Sequence, residues 1–176
     1  MRVQFRADGL GVKGKNLGFL ENPRFAAAWE TARQLNAEAW NNDVPDIRWR
    51  AHTCCWAATQ AMHIEGDFVE CGVHGGLLSL TVANFLGFAG TGRNFWLFDT
   101  FAGIPLEQLA PADRPYAEQL NKDHHHTDIF DIATRNFSPF PNARLVRGLL
   151  PGTLAGAEIK RIAYLSMDLN NAPAEL

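Results

Sequence analysis

The segment GDFVECGVHGG, residues 66–76, decides how the chain folds. Phe68 to Cys71 suit a buried β-strand, and the glycines that follow allow a sharp turn and a close approach of a ligand to the backbone. Glu70 puts a carboxylate just before that turn. A strand that ends in this way indicates a binding site at its carboxyl end, although a tight turn with no ligand would need the same glycines.

Strand-like and helix-like segments alternate after this stretch. The strands are predicted at NFWLFDT (94–100), ARLVRG (143–148) and RIAYLSMD (161–168), and the helices at LLSLTVANFLGF (77–88) and TDIFDIATRNF (127–137). The alternation predicts an α/β fold: a Rossmann-like, open, mostly parallel sheet with flanking helices. Right-handed crossovers bring the carboxyl ends of such strands to one edge, where we expect Glu70, Asp99 and Asp168 to meet.

We expect the chain to divide into residues 1–64, an N-terminal extension with two helices, and residues 65–176, the N-terminal part of a Rossmann-like domain, within one globular unit. The first helix is predicted from Pro23 to about Trp40, with Asn22 as its N-cap, and the second over residues 47–64, with Asp46 as its cap. The first sixteen residues mix basic side chains with glycines and predict an exposed lead-in.

Composition argues against several classes of protein. A formal net charge of -3 and a pI near 6.0 do not favour nucleic acid or an anionic membrane as partners. The chain has no apolar run of the ~18 residues that span a membrane, and its first residues lack the apolar stretch expected of a secretory signal. The three cysteines favour buried thiols in a reducing cytoplasm over a disulfide framework or a zinc site.

The candidate site residues each have more than one interpretation. His74 stands where a dinucleotide-binding GxGxxG fingerprint has its second glycine, so a pyrophosphate is a poorer guest than an uncharged or cationic ligand. Asp99 could accept hydrogen bonds from the two hydroxyls of a ribose, or cap a loop. Asp168 could bind a divalent metal or act as a base, or it could form a turn with the asparagines that follow. The run His124, His125 and His126 favours a solvated loop over a metal site.

Four motifs in their order and spacing resemble the macrocin O-methyltransferase family of class I S-adenosylmethionine enzymes. They are GDFVECGVHGGLLSL (66–80), FWLFDTFAGIP (95–105), NFSPFPNARLVRGLLPGTL (136–154) and IAYLSMDLNNAPAE (162–175), and the resemblance covers about residues 64–176. It implies S-adenosyl-L-methionine as cofactor and a small-molecule acceptor whose hydroxyl is methylated; in some members of the family that hydroxyl belongs to a sugar. It also implies magnesium (Mg2+) bound at Asp168, and a catalytic role for Asp168. The cofactor-binding residues it implies are Glu70, Gly72, Val73, His74, Gly76, Asp99 and Thr100.

The sequence also departs from that family. His74 and Gly75 replace an aromatic and basic pair, and Gly152 stands where an acid is common. The strands with an Asp-Asp pair that completes the family's metal site are expected to be absent, which would leave a bare sheet edge and favour a homo-oligomer. Two alternatives therefore stay open: a non-catalytic cofactor-binding or interaction module, and a nicotinamide-dependent oxidoreductase, although neither tyrosine has a lysine four residues on.

Overall fold

The structure, a computed structural model, describes residues 3–124, 128–170 and 172–175. Its strands are β1 (Phe5–Ala7), β2 (Leu10–Val12), β3 (Asp67–Cys71), β4 (Phe95–Asp99), β5 (Ala143–Arg147) and β6 (Ile162–Met167). Its α-helices are α1 (Pro23–Leu35), α2 (Arg48–Ala61), α3 (Leu77–Leu86), α4 (Arg114–His124), α5 (Phe130–Phe137) and α6 (Ala172–Glu175).

A four-stranded parallel sheet in the order β5-β4-β3-β6 forms the centre of the fold. β3 lies between β4 and β6, and its residues Phe68 to Cys71 are all buried. Central parallel strands are covered on both faces and are therefore almost continuously apolar. The structure confirms the Rossmann-like α/β architecture with a helical N-terminus, and the exception in β3 is the buried carboxylate Glu70.

The larger core lies on the face of the sheet covered by α1, α2 and α3. Phe68 in β3 stacks on Tyr164 in β6, with ring centroids 5.0 Å apart, and contacts Phe88 at the same centroid distance. A smaller apolar cluster on the opposite face includes Val69 and Phe98. Burial of these aromatic side chains stabilises the packing of the helices on the sheet, because each large ring removes on the order of 150–250 Å² from water.

The structure differs from the sequence predictions near the N-terminus and in the middle of the chain. α1 ends at Leu35 and not near Trp40, because Asn36 donates its side-chain amide to the Ala32 carbonyl and its backbone N–H does the same. α2 has Ile47 at its N-cap, and Asp46 forms an ion pair with Arg48 in place of a side-chain cap. α4 was not predicted at all, since the sequence there carries prolines and a strongly polar pattern.

The predicted lead-in is in fact an antiparallel hairpin formed by β1 and β2. Asp8 and Gly9 form its turn with φ values of 49° and 73°, the left-handed geometry that suits a two-residue hairpin loop. Phe5 is buried and packs edge-on against Phe19, which anchors the hairpin on the N-terminal helical layer.

His125, His126 and Asn171 lie outside the described residues, as does the side chain of His124. Within the described ranges, no helix is both long enough and apolar enough to cross a membrane.

Candidate functional site

A cavity of about 470 Å³ opens at the carboxyl edge of the sheet, within the ~300–1,000 Å³ range of small-molecule sites. The ends of β3, β4 and β6 all contribute to it. Of the residues predicted for the site, those that line it are Glu70, Gly72, Val73, His74, Asp99, Thr100 and Asp168. The sheet therefore brings the three strand-end acids to one cavity. Gly76 is the exception: a Cβ there would lie 2.5 Å from the Phe137 ring, so the absence of a side chain serves packing.

Gly72 allows the ends of β3 and β6 to come together. Its φ is 87°, and a Cβ at this position would lie 2.0 Å from the backbone carbonyl oxygen of Asp168. The Asp168 N–H donates to the Cys71 carbonyl at 2.9 Å, which continues the ladder to the strand ends. Any side chain at residue 72 would therefore push Asp168 away from the cavity.

The carboxylate of Asp99 holds the glycine turn in place. Its Oδ2 accepts hydrogen bonds from the backbone N–H groups of Val73 at 2.6 Å and His74 at 2.7 Å. Its Oδ1 accepts from the N–H of Phe101 at 2.7 Å, with the Thr100 hydroxyl at 3.4 Å. A carboxylate has about four acceptor positions, so three backbone bonds leave room for little more than one bond from a ligand. The structure therefore shows the loop-cap role of Asp99 and leaves about one acceptor position on this carboxylate open.

Glu70 is the most buried carboxyl at the floor of the cavity, with 2% of its surface exposed. Its Oε2 has no hydrogen-bond partner among the described residues. Burial raises the pKa of Glu70 to about 8, and the charges of Asp99 and Asp168 raise it further, while the nearby Ser79 hydroxyl opposes this shift. Ser79 falls short of hydrogen-bond geometry, so one oxygen of Glu70 is left for a donor that enters the cavity.

Asp168 is half exposed and faces a cation of the chain itself. Its Oδ2 accepts from Nη1 of Arg50 at 3.3 Å, and Nε of the same guanidinium donates to Oδ2 of Asp8 at 2.5 Å. Arg50 comes from α2 and Asp8 from the hairpin turn, and both line the cavity. The sequence analysis missed both residues; the Asp8-Gly9 pair was a hairpin signal that could have located one of them.

The N-terminal layer covers the glycine turn. His74 has a φ of 51°, and its ring lies 4.6 Å from the ring of Trp40, which follows α1. Gly75 packs under this layer, since a Cβ there would lie 2.4 Å from the Asn36 side-chain oxygen. The early end of α1 therefore allows Trp40 to turn back over the cavity, an arrangement that helical periodicity could not predict.

The opposite wall is apolar and comes from the segments after β4 and β5. It includes Ile104, Leu149 and Leu150, and Gln108 donates its side-chain amide to the Leu150 carbonyl at 2.9 Å. This bond links the two segments across the wall. Such a mixture, with apolar walls and a few polar groups on the floor, is typical of sites for small organic ligands.

The described residues provide no metal centre around Asp168. No group of three or more His, Cys, Asp or Glu side chains among them is arranged to hold an ion. The cysteines are free thiols, and burial raises the pKa of Cys55 to about 12 and that of Cys71 to about 11. Both thiols are therefore protonated near neutral pH and are poor metal ligands and nucleophiles.

Comparison with one solved structure, that of NovP, agrees with this fold. The O-methyltransferase NovP has a similar structure, with a TM-score of 0.65 and 20% identity, over 82% of this chain and 71% of NovP. The calicheamicin methyltransferase CalS11 aligns with a TM-score of 0.43 and 19% identity, over 90% of this chain and 74% of CalS11. No curated protein matches the chain. Residues 44–171 match the family described as macrocin-O-methyltransferase (TylF), and the chain belongs to this family.

Proposed function

We propose that the chain is an S-adenosyl-L-methionine-dependent O-methyltransferase that acts on a hydroxyl of a small-molecule acceptor, such as a sugar-bearing natural product. Membership of the TylF family supports methyl transfer as the reaction. The observation that carries the proposal is the cavity at the strand ends, where Glu70 and Asp99 lie on either side of the glycine turn. NovP, at 20% identity, supports the fold of this proposal and not its acceptor.

The cavity fits this cofactor chemically. The unpartnered Oε2 of Glu70 is a buried acceptor for a cationic group, and S-adenosyl-L-methionine carries both an ammonium and a sulfonium. The remaining acceptor position on Asp99 suits one ribose hydroxyl, beside the backbone of Val73 and His74. Apolar side chains such as Leu149 and Leu150 provide a surface for a flat aromatic base.

When bound, the cofactor supplies a methyl group on a sulfonium, so that the sulfur–carbon bond breaks as the carbon–oxygen bond forms. The residues of the chain then have two tasks. The walls of the cavity would position the acceptor and exclude water. Positioning of the two reacting groups can supply much of the rate gain of such a displacement. Asp168, which lines the cavity and is half exposed, would accept the proton that the hydroxyl loses.

The resemblance also implies magnesium at Asp168, but the residues around Asp168 do not fit a magnesium ion. Mg²⁺ requires near-octahedral oxygen ligands, usually with one or two carboxylates that are free to bind. Asp168 instead faces the Arg50 guanidinium, and no three His, Cys, Asp or Glu side chains among the described residues are arranged to hold an ion. The proposed reaction is therefore written without a metal step.

Calorimetric titration of the purified chain with S-adenosylhomocysteine tests the proposal. We expect one binding site, with affinity reduced in Glu70→Gln and unchanged in Glu118→Gln, a control that removes one exposed carboxylate of α4. A folded chain that binds no S-adenosylhomocysteine would refute the proposal. Asp168→Asn should bind it as the wild type does but lose methyl transfer.

The second candidate is a cofactor-binding module without catalysis. The pairing of Asp168 with Arg50 favours it, because the guanidinium occupies a carboxylate oxygen that a base would need for the hydroxyl proton. This candidate predicts the same titration result, with no methyl transfer to any hydroxyl acceptor by the wild-type chain. Transfer of labelled methyl groups to a panel of glycosides separates the two.

A further inference from the structure

The guanidinium of Arg50 lies between two carboxylates that come from opposite ends of the described chain. Nε donates to Asp8 at 2.5 Å and Nη1 to Asp168 at 3.3 Å. The Arg50 and Asp168 side chains are 40% and 48% exposed, and Asp8 is 25% exposed. Arg50 thus bridges the hairpin turn and the end of β6 at the mouth of the cavity.

Arg50 is also the only lysine or arginine among the described residues that line the cavity. Five acids line it as well, and they are Asp8, Asp43, Glu70, Asp99 and Asp168. Two of them face the guanidinium directly, and Asp99 is bonded to backbone N–H groups. Arg50 therefore neutralises the acids at the mouth, which is the task that a divalent cation performs in a carboxylate site.

A guanidinium and a divalent cation cannot both use the same carboxylate oxygen. An ion at Asp168 Oδ2 would lie within a few ångströms of the Arg50 charge, and like charges at that distance repel even in a well-solvated site. The guanidinium also has N–H groups in a planar fork, so it can hold a carboxylate and still donate to a neighbouring oxygen.

We propose that Arg50 is the resident cation of this site, takes the position beside Asp168 that a divalent metal would need, and donates a hydrogen bond to the acceptor oxygen. The hydrogen bond from Arg50 to the acceptor oxygen rests on the proposed function, whereas the exclusion of a metal ion by Arg50 does not. Asp8 is a positioning residue here, because its bond to Nε orients the guanidinium towards the mouth of the cavity. The N-terminal hairpin thereby becomes part of the site.

Metal binding tests the exclusion without any need for turnover. We would titrate Mn²⁺ into the full chain and measure free Mn²⁺ by electron paramagnetic resonance, for the wild type, Arg50→Met, Arg50→Lys and Asp168→Asn. Removal of the positive charge should tighten Mn²⁺ binding about tenfold or more in Arg50→Met, because two carboxylates then face each other across an empty mouth. Arg50→Lys, which keeps the charge, should bind as weakly as the wild type.

Arg48→Met is the matched control, since Arg48 lies on the same helix, is similarly exposed and pairs with Asp46 away from the cavity. It should leave Mn²⁺ binding unchanged. A wild-type chain that binds one Mn²⁺, with that binding lost in Asp168→Asn, would overturn the proposal even if an Arg50 variant failed to fold. Equal Mn²⁺ binding by the wild type and a folded Arg50→Met would overturn it as well.

The same samples distinguish this proposal from the proposed function. S-adenosylhomocysteine binding should be unaffected in Arg50→Met, because the proposed cofactor contacts are with Glu70 and Asp99, which line the same cavity as Arg50 but are not bonded to it. A wild-type chain that binds both Mn²⁺ at Asp168 and S-adenosylhomocysteine would refute only the role of Arg50. Absence of cofactor binding in every variant, with Mn²⁺ excluded as expected, would refute only the proposed function.

Discussion

Replacement of Glu70 by glutamine should make the stability of the chain less dependent on pH. Burial in the sheet raises the pKa of this carboxyl from 4.5 to about 8, so the folded chain binds a proton that the unfolded chain releases. Stability from this proton is fully present below the unfolded pKa and is lost as the pH rises towards the folded pKa. Glutamine keeps the shape of the neutral acid and has no proton to lose.

The size of the effect follows from the two pKa values. Each pH unit between them changes the free energy of unfolding by about 1.4 kcal/mol. A carboxyl with pKa values of 4.5 and about 8 therefore costs the wild type about 3 kcal/mol between pH 5.5 and pH 8. That is a large part of the ~5–15 kcal/mol by which domains of this kind are stable.

Urea unfolding at both pH values, followed by tryptophan fluorescence, measures the effect. Other titrating groups contribute alike in the two proteins, so the informative quantity is the difference between the pH dependence of wild type and Glu70→Gln. Glu118→Gln should behave as the wild type, since its carboxylate is exposed on α4. The argument would fail if wild type and Glu70→Gln lost the same stability between pH 5.5 and pH 8.

Two further predictions concern Asp99 and the binding of the cofactor. Asp99→Asn should lower the free energy of unfolding by about 1–3 kcal/mol in the absence of ligand. Both oxygens of Asp99 accept from backbone N–H groups, and the NH₂ of asparagine would face at least one of those donors and leave it without an acceptor. Urea unfolding that matches the wild type would contradict this. Under the proposed function, the ammonium of S-adenosyl-L-methionine favours the ionised form of Glu70, so binding at pH 7 should release close to one proton. Titrations in buffers of different ionisation enthalpy measure that proton, and Glu70→Gln should release none.

The sheet and its acids could be predicted from the sequence because short-range patterns determine them. Apolar runs of strand length and a glycine turn after β3 are local signals, and parallel connection then fixes which strand ends meet. The strands at β4, β5 and β6 were predicted within one or two residues of their observed bounds. The meeting of Glu70, Asp99 and Asp168 at one cavity follows from the same rule.

The contacts of those acids could not be predicted, because they depend on segments far away in the sequence. Arg50 reaches Asp168 across 118 positions, and nothing in the pattern of α2 distinguishes Arg50 from Arg48. The turn of Trp40 over His74 depends on where α1 ends, and Asn36 decides that through its bonds to Ala32. Side-chain competition of this kind overrides helical propensity.

The three strand-end carboxyls are chemically alike, yet their neighbours give them different properties. Burial raises the pKa of Glu70, backbone N–H groups donate to Asp99, and Asp168 pairs with a guanidinium. Acids with such different surroundings can divide the work of one site, since one can respond to a cation, one can shape a turn and one can accept a proton. The same substitution, acid to amide, should therefore have three different signatures: altered pH dependence at Glu70, lost stability at Asp99 and lost proton transfer at Asp168. A shared signature at all three positions would mean that the acids act as one pool of negative charge and that their individual contacts do not matter.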